Sequence, residues 1–102
     1  MPHAYLIVES NITDPEGFKR YMAAAPAAAR AFGAEYLVRG GRMQVLEGDW
    51  HPPRMTVLRY PSFEAALAMY DSPEYVAARQ MRAGTTACFN MVVVEGVDAP
   101  PA

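Results

Sequence analysis

Two stretches, Asp14-Pro15-Glu16 and Ser72-Pro73-Glu74, carry the same local instruction, and each follows a run too short or too broken to be one long helix. In the first, Asp14 can cap free backbone N–H groups, and Pro15 fits the opening helical position, where its missing donor costs nothing. Thr13 with Glu16 offers an alternative capping box. The helix that follows places Phe18, Tyr21, Met22, Ala25, Ala28, Ala29 and Phe32 at three- and four-residue steps, which is one apolar face. Gly33 is suited to stop it. Pro26 is the discordant residue. It removes the bond to the Met22 carbonyl at a cost of about 3 kcal/mol in a regular helix, so a kink or restart is expected there.

The segments around the two helix starts read as strands. Ala4 to Glu9 is a short β-favouring run that Asn11 ends. Ala34 to Arg39 is a second strand, Gly40-Gly41 a tight turn, and Arg42 to Glu47 the returning arm of a hairpin. Gly48 to Pro53 is a loop, because two adjacent prolines exclude helix and central strand alike. Met55 to Tyr60 is another strand, closed by Pro61. Ser62 opens a helix bearing Phe63, Ala66, Leu67 and Tyr70, and the second proline start carries a further helix to about Gly84. Ala87 to Glu95 is the last strand, and the Pro-rich end over residues 98–102 is expected to fray. The order is β, α, β-hairpin, β, α-α, β. It predicts an α+β protein with a ferredoxin-like antiparallel sheet and helices on one face, in a single domain over residues 1–97.

A chain of 102 residues has room for one modest core, and 52% hydrophobic against 20% charged residues excludes disorder. The net charge of -2, with nine scattered cations, argues against a nucleic-acid partner. No apolar stretch approaches the length of a membrane span. The opening Met1-Pro2-His3-Ala4-Tyr5 lacks the basic start and apolar run of a secretion signal. Cys88 is the single cysteine, so no internal disulfide forms; a cytoplasmic setting is expected, with Cys88 as a small core hydrophobe.

The strands do not alternate cleanly between apolar and polar. If Leu6, Val8, Tyr36, Val38, Leu58 and Tyr60 face the helices, then Tyr5, Ile7, Leu37, Val57 and one register of Val92–Val94 cover the opposite face. That is a large apolar surface to leave in water, and a second copy packed sheet on sheet would bury it. A homodimer is therefore expected.

Thr13-Asp14-Pro15-Glu16, Leu37-Val38-Arg39-Gly40-Gly41, Glu47-Gly48-Asp49-Trp50, Ser72-Pro73-Glu74-Tyr75 and Val94-Glu95-Gly96 stand in order along the chain. In that combination the sequence, from Ala4 to Val97, resembles a family of uncharacterised bacterial proteins, domain of unknown function thirteen-thirty. The resemblance implies a dimeric α/β barrel, the fold class shared with the antibiotic-biosynthesis monooxygenases. It does not imply their reaction, because one fold hosts many functions.

No catalytic signature emerges. Arg39, at a strand end, is predicted to share a face with Tyr5, Glu9 and Arg59, where its guanidinium could fork onto a ligand carboxylate. The competing reading pairs Arg39 with Glu9, Glu47 or Glu95 to fix the hairpin. Trp50 could wall the same pocket, though a hydrophobic plug beside an exposed His51 is the plainer expectation. Tyr5, Glu9, Arg39, Trp50 and Arg59 are thus the candidate ligand-binding residues. Tyr75, Arg79 and Arg82, at helical steps, could grip an acid but read first as a solvated or interface face. His3 and His51 have no partners at metal-ligand spacing, and Gly40-Gly41 precedes no helix, so neither a metal nor a nucleotide cofactor is expected. Met1-Pro2 before a strand admits an N-terminal proline base, but the element order does not resemble such tautomerases. Three function classes remain. These are a cofactor-free oxygenase- or isomerase-like enzyme, a small-molecule binding module, and a structural dimer.

Overall fold

β1 (Ala4–Ile12) organises the sheet by pairing antiparallel with β3 (Met55–Tyr60) on one side and β4 (Thr86–Glu95) on the other. β2 (Glu35–Arg39) pairs antiparallel with β3, so the order is β2-β3-β1-β4, that of a ferredoxin-like sheet. This computed structural model describes residues 2–97; Met1 and the tail expected to fray lie outside the described residues. β1 runs past Asn11 because β4 supplies partners for it: Ser10 stands opposite Phe89 and Asn11 opposite Cys88. Cross-strand pairing here overrides the local signal for a stop. The same register puts Cys88 on the Asn11 side of the sheet, half-buried and apart from the core, against the expectation of a core hydrophobe.

The helices lie over one face. Asp14 Oδ1 accepts the Gly17 N–H at 3.1 Å and so caps α1 (Pro15–Ala31), with Pro15 in its first turn. The Thr13 backbone bonds to Thr85 instead. Of the kink or restart expected at Pro26, the restart does not occur, since α1 is one helix through it. Ala25, Ala28 and Ala29 on either side are buried, and this tertiary packing opposes the proline penalty of about 3 kcal/mol. Gly33 follows the helix with φ 86°, and a Cβ there would meet the Pro61 ring at 3.0 Å. Ser62 caps α2 (Phe63–Asp71), and Ser72 caps α3 (Pro73–Gln80), which ends short of Gly84 in a series of turns.

Alternation on β1 and β3 sends Leu6, Val8, Leu58 and Tyr60 into the core with Met69 and Tyr75. The opposite face carries Tyr5, Ile7 and Val57, continued on β4 by Val92 and Val94, which are 56% and 46% exposed.

Arg42 to Glu47 is not a strand. β2 pairs directly with β3, and its last ladder bond runs from the Gly40 N–H to the Met55 carbonyl at 2.9 Å. Between these points the chain makes an excursion over residues 41–54, with Leu46 85% and Trp50 59% exposed. Its alternating pattern suits a strand, but no strand of this chain lies beside it. The excursion widens the molecule: the radius of gyration is 14.2 Å, against about 13 Å for a compact domain of this length.

Candidate functional site

α1 packs chiefly on α3, while α2 is the helix that approaches β1 and β4 closely. The space between α1 and the sheet is filled by rings instead. Phe18 and Tyr21 from α1 lie with ring centres 5.2 Å apart, and Tyr21 meets Phe89 of β4 edge-on at 5.8 Å and Tyr75 of α3 at 6.1 Å. Rings meeting edge to face do not fill space completely. What remains is a cavity of about 60 Å³, walled by apolar groups such as Leu6, Val8, Met22, Leu58 and Met91.

The polar side chains in the lining are those of Ser10, Thr56, four tyrosines and two arginines. The Tyr21 and Tyr75 hydroxyls are hydrogen-bonded at 2.7 Å, and the Tyr75 hydroxyl also reaches the Met91 sulfur at 3.5 Å. Tyr75 is placed by its cap: Ser72 Oγ accepts the Tyr75 N–H at 3.2 Å and donates to the Met69 carbonyl at 2.7 Å. The Tyr60 hydroxyl is buried without a hydrogen-bond partner. A buried hydroxyl left unpaired costs free energy that the fold must absorb, so it calls for an explanation. Burial is the main cause that pushes the Tyr21, Tyr60 and Tyr36 phenols above their ordinary range. Tyr75 adds to the rise in each case, and Arg39 and Arg30 oppose it at Tyr36. All three are therefore protonated at neutral pH and able to donate.

Arg39 and Arg54 also line it, Arg39 exposed and Arg54 half-buried, and so mark the mouth. The Arg39 guanidinium lies 4.7 Å from the centre of the Tyr36 ring. The ion pairs among the described residues are Lys19–Glu16 and Arg59–Glu35, so neither mouth arginine is neutralised by a carboxylate of the chain.

The sequence-predicted cluster is divided between the two faces of the sheet. The ladder slips one residue between Tyr36 and Val38, after which Val38 stands opposite Val57 and Arg39 opposite Thr56. Thr56 pairs with Val8, a core residue, so Arg39 turns to the helix side, away from Tyr5, Glu9 and Arg59. On the open face, Glu9 and Trp50 do meet. The Trp50 indole N–H donates to Glu9 Oε2 and the Asn90 amide to Glu9 Oε1, both at 3.1 Å. Trp50 is therefore tethered by its polar edge, with its ring exposed rather than plugging a core. Tyr5 and Arg59 are cross-strand neighbours farther along, with Arg59 paired to Glu35.

Tyr21, Tyr60, Tyr75 and Arg54 were not singled out as a group by sequence. The available signal is a tyrosine at each of three apolar positions, since each buried ring brings a hydroxyl that needs a partner. Tyr75 is 2% exposed, not on a solvated face. Arg79 and Arg82 stack instead on Tyr70 and Phe89, at 4.2 and 3.7 Å. Among the described residues no group of three or more His, Cys, Asp or Glu could hold a metal ion, and no helix is long and apolar enough to cross a membrane.

Comparison with known proteins places the chain in a family. A protein of unknown function from Rhodopseudomonas palustris has a similar structure, with a TM-score of 0.76 at 16% identity, over 96% of this chain and 85% of that one. A dimeric ferredoxin-like protein of unknown function from Jannaschia sp. CCS1 gives 0.66 at 16%, over 92% and 99%. A candidate antibiotic biosynthesis monooxygenase from Caulobacter crescentus CB15 gives 0.62 at 17%, over 95% and 92%. At these identities the likeness is one of fold. No curated protein matches the sequence. The family match extends over residues 3–97, and the chain belongs to the family described as Domain of unknown function (DUF1330).

Proposed function

We propose that this protein binds a small, partly apolar molecule bearing an anionic group, in the cavity between α1 and the sheet, and does so as a homodimer. One observation carries the binding reading. Tyr60, whose hydroxyl is buried and unpartnered, lines a largely apolar cavity whose mouth holds two guanidiniums with no carboxylate of their own. An apolar body with one charged group complements such a lining. The test is a thermal-shift screen of small carboxylates against the wild type and Arg39→Ala. The wild type should be stabilised in proportion to ligand concentration, and the variant should lose that response while keeping its unliganded melting temperature. A wild type that responds to no acid would contradict the reading.

Binding without turnover is favoured over oxygenase- or isomerase-like chemistry by the composition of the lining, which holds no carboxylate, imidazole or thiol. Its phenols serve as hydrogen-bond donors, whereas proton abstraction from a substrate needs a base. Turnover of enols or quinols by the purified protein would reverse that preference.

The dimer is supported by the open sheet face, by the excursion, and by the dimeric relatives. Val92, Val94 and Val38 form an apolar surface there, and Val45, Leu46, Trp50 and His51 line a shallow concavity within the excursion. The related ferredoxin-like protein from Jannaschia sp. CCS1 is dimeric. Light scattering coupled to size exclusion should give twice the chain mass at micromolar concentration. A monomer would refute it.

A further inference from the structure

We infer that the ligand of this cavity is a short aliphatic carboxylate with a second oxygen, a carbonyl or hydroxyl, at its buried end. This rests on the binding reading above and makes it specific. Volume sets the first constraint. The cavity of about 60 Å³ is well under the roughly 150 Å³ of a dry cavity that takes benzene, so a buried aromatic ring is excluded and a few aliphatic carbons are admitted.

Polar satisfaction sets the second. At the inner end, Tyr75 hydrogen-bonds to Tyr21 and reaches Met91, whose sulfur is only a weak acceptor. Tyr60 donates to nothing. Tyr36, Tyr60 and Tyr75 all line this space, and none of them offers a charged acceptor. A plain hydrocarbon tail entering this space would leave the Tyr60 donor buried and unpaired. A carbonyl or hydroxyl oxygen would accept its proton and remove that cost. At the outer end, Arg39 and Arg54 take the carboxylate. The lining thus carries cations at the mouth and a phenol donor at the buried Tyr60, on largely apolar walls with Ser10 and Thr56 as further hydroxyls.

Matched acids separate the two levels of the reading. Levulinate and acetoacetate carry the inner oxygen, and valerate and butyrate are their counterparts without it. Isothermal titration of the wild type should show each oxo acid binding about five- to tenfold more tightly than its counterpart, the worth of one buried hydrogen bond. Tyr60→Phe should erase that preference while leaving the affinity for valerate unchanged or improved. It should also fold at least as well as the wild type, since it deletes an unpaired group. Tyr21→Phe should keep the preference, because Tyr60 remains. If oxo and plain acids bind equally, or if Tyr60→Phe keeps the preference, the inner-oxygen inference is wrong while carboxylate binding at the mouth survives. If neither kind of acid binds, both fail.

Discussion

Arg39 stands opposite Thr56 in the β2–β3 ladder, and that single pairing turns its guanidinium to the helix side of the sheet, over the Tyr36 ring. Strict alternation from Glu35 would have placed it opposite Met55, on the open face that also carries Glu9 and Arg59. Because the side-chain period of a strand is two, a one-residue slip moves every later residue to the other face. The slip joins the mouth arginine to the buried tyrosines and separates it from the ion-paired Arg59. Arg39→Ala should therefore change the unfolding free energy by no more than about 0.5 kcal/mol, as expected for an exposed residue without a carboxylate partner. Urea denaturation measures it. A loss of several kcal/mol would mean that Arg39 is a scaffold residue.

The Tyr21–Tyr75 pair predicts a coupling. Tyr21→Phe should cost about 1–3 kcal/mol, because it leaves the Tyr75 hydroxyl with only a sulfur partner. The double variant with Tyr75→Phe should cost less than the sum of the two singles, since no orphaned hydroxyl remains. Strict additivity would mean that the two hydroxyls do not act as a pair.

The phenols also predict the alkaline limb of stability. Tyr21 and Tyr60 have folded values raised above the ordinary 10.0, so the unfolded chain loses these protons first as pH rises. Their contribution is complete below pH 10.0 and is lost as pH climbs above it, because the folded state then binds more protons than the unfolded one. Unfolding free energy should fall above that pH in the wild type and fall less steeply in Tyr60→Phe. Equal slopes would show that Tyr60 ionises as freely in the folded protein as in the unfolded chain.

Ser72→Ala should cost about 1–2 kcal/mol by removing the cap of α3. It should also weaken ligand binding, because the same Ser72 oxygen fixes the turn from which Tyr75 projects. A stability loss with unchanged affinity would detach Tyr75 from the site.

Charge on the open face tests the assembly. Val92→Asp and Leu46→Asp place a carboxylate where a second copy is expected to pack, and both residues are exposed in the single chain. Each should yield a folded monomer by light scattering, since burying an unpaired charge costs several kcal/mol. A dimer unaffected by both would place the interface elsewhere.

The helix starts were legible because their causes are local. Asp14 and Ser72 cap through their own side chains, and each precedes a proline. The core faces of β1 and β3 followed from alternation alone. The slip at Leu37 was not legible, since Glu35 to Arg39 contains no glycine to mark it. Nor was the excursion. Arg42 to Glu47 has a strand's alternation, but alternation alone does not make a pairing: β2 joins β3 on one edge, and no strand among the described residues takes its outer edge. The tyrosine cavity arises from three elements distant in sequence, so no local motif announces it.

The most direct test of the binding site is nuclear magnetic resonance on protein with isotope-labelled tyrosine rings, titrated with levulinate. Resonances of Tyr21, Tyr36, Tyr60 and Tyr75, which line the cavity, should shift together with one saturating curve, and the signals of Tyr5 and Tyr70 should stay in place. Saturable shifts confined to Tyr5 would put the ligand on the open face of the sheet, and a spectrum unchanged by the acid would leave the cavity without the function assigned to it.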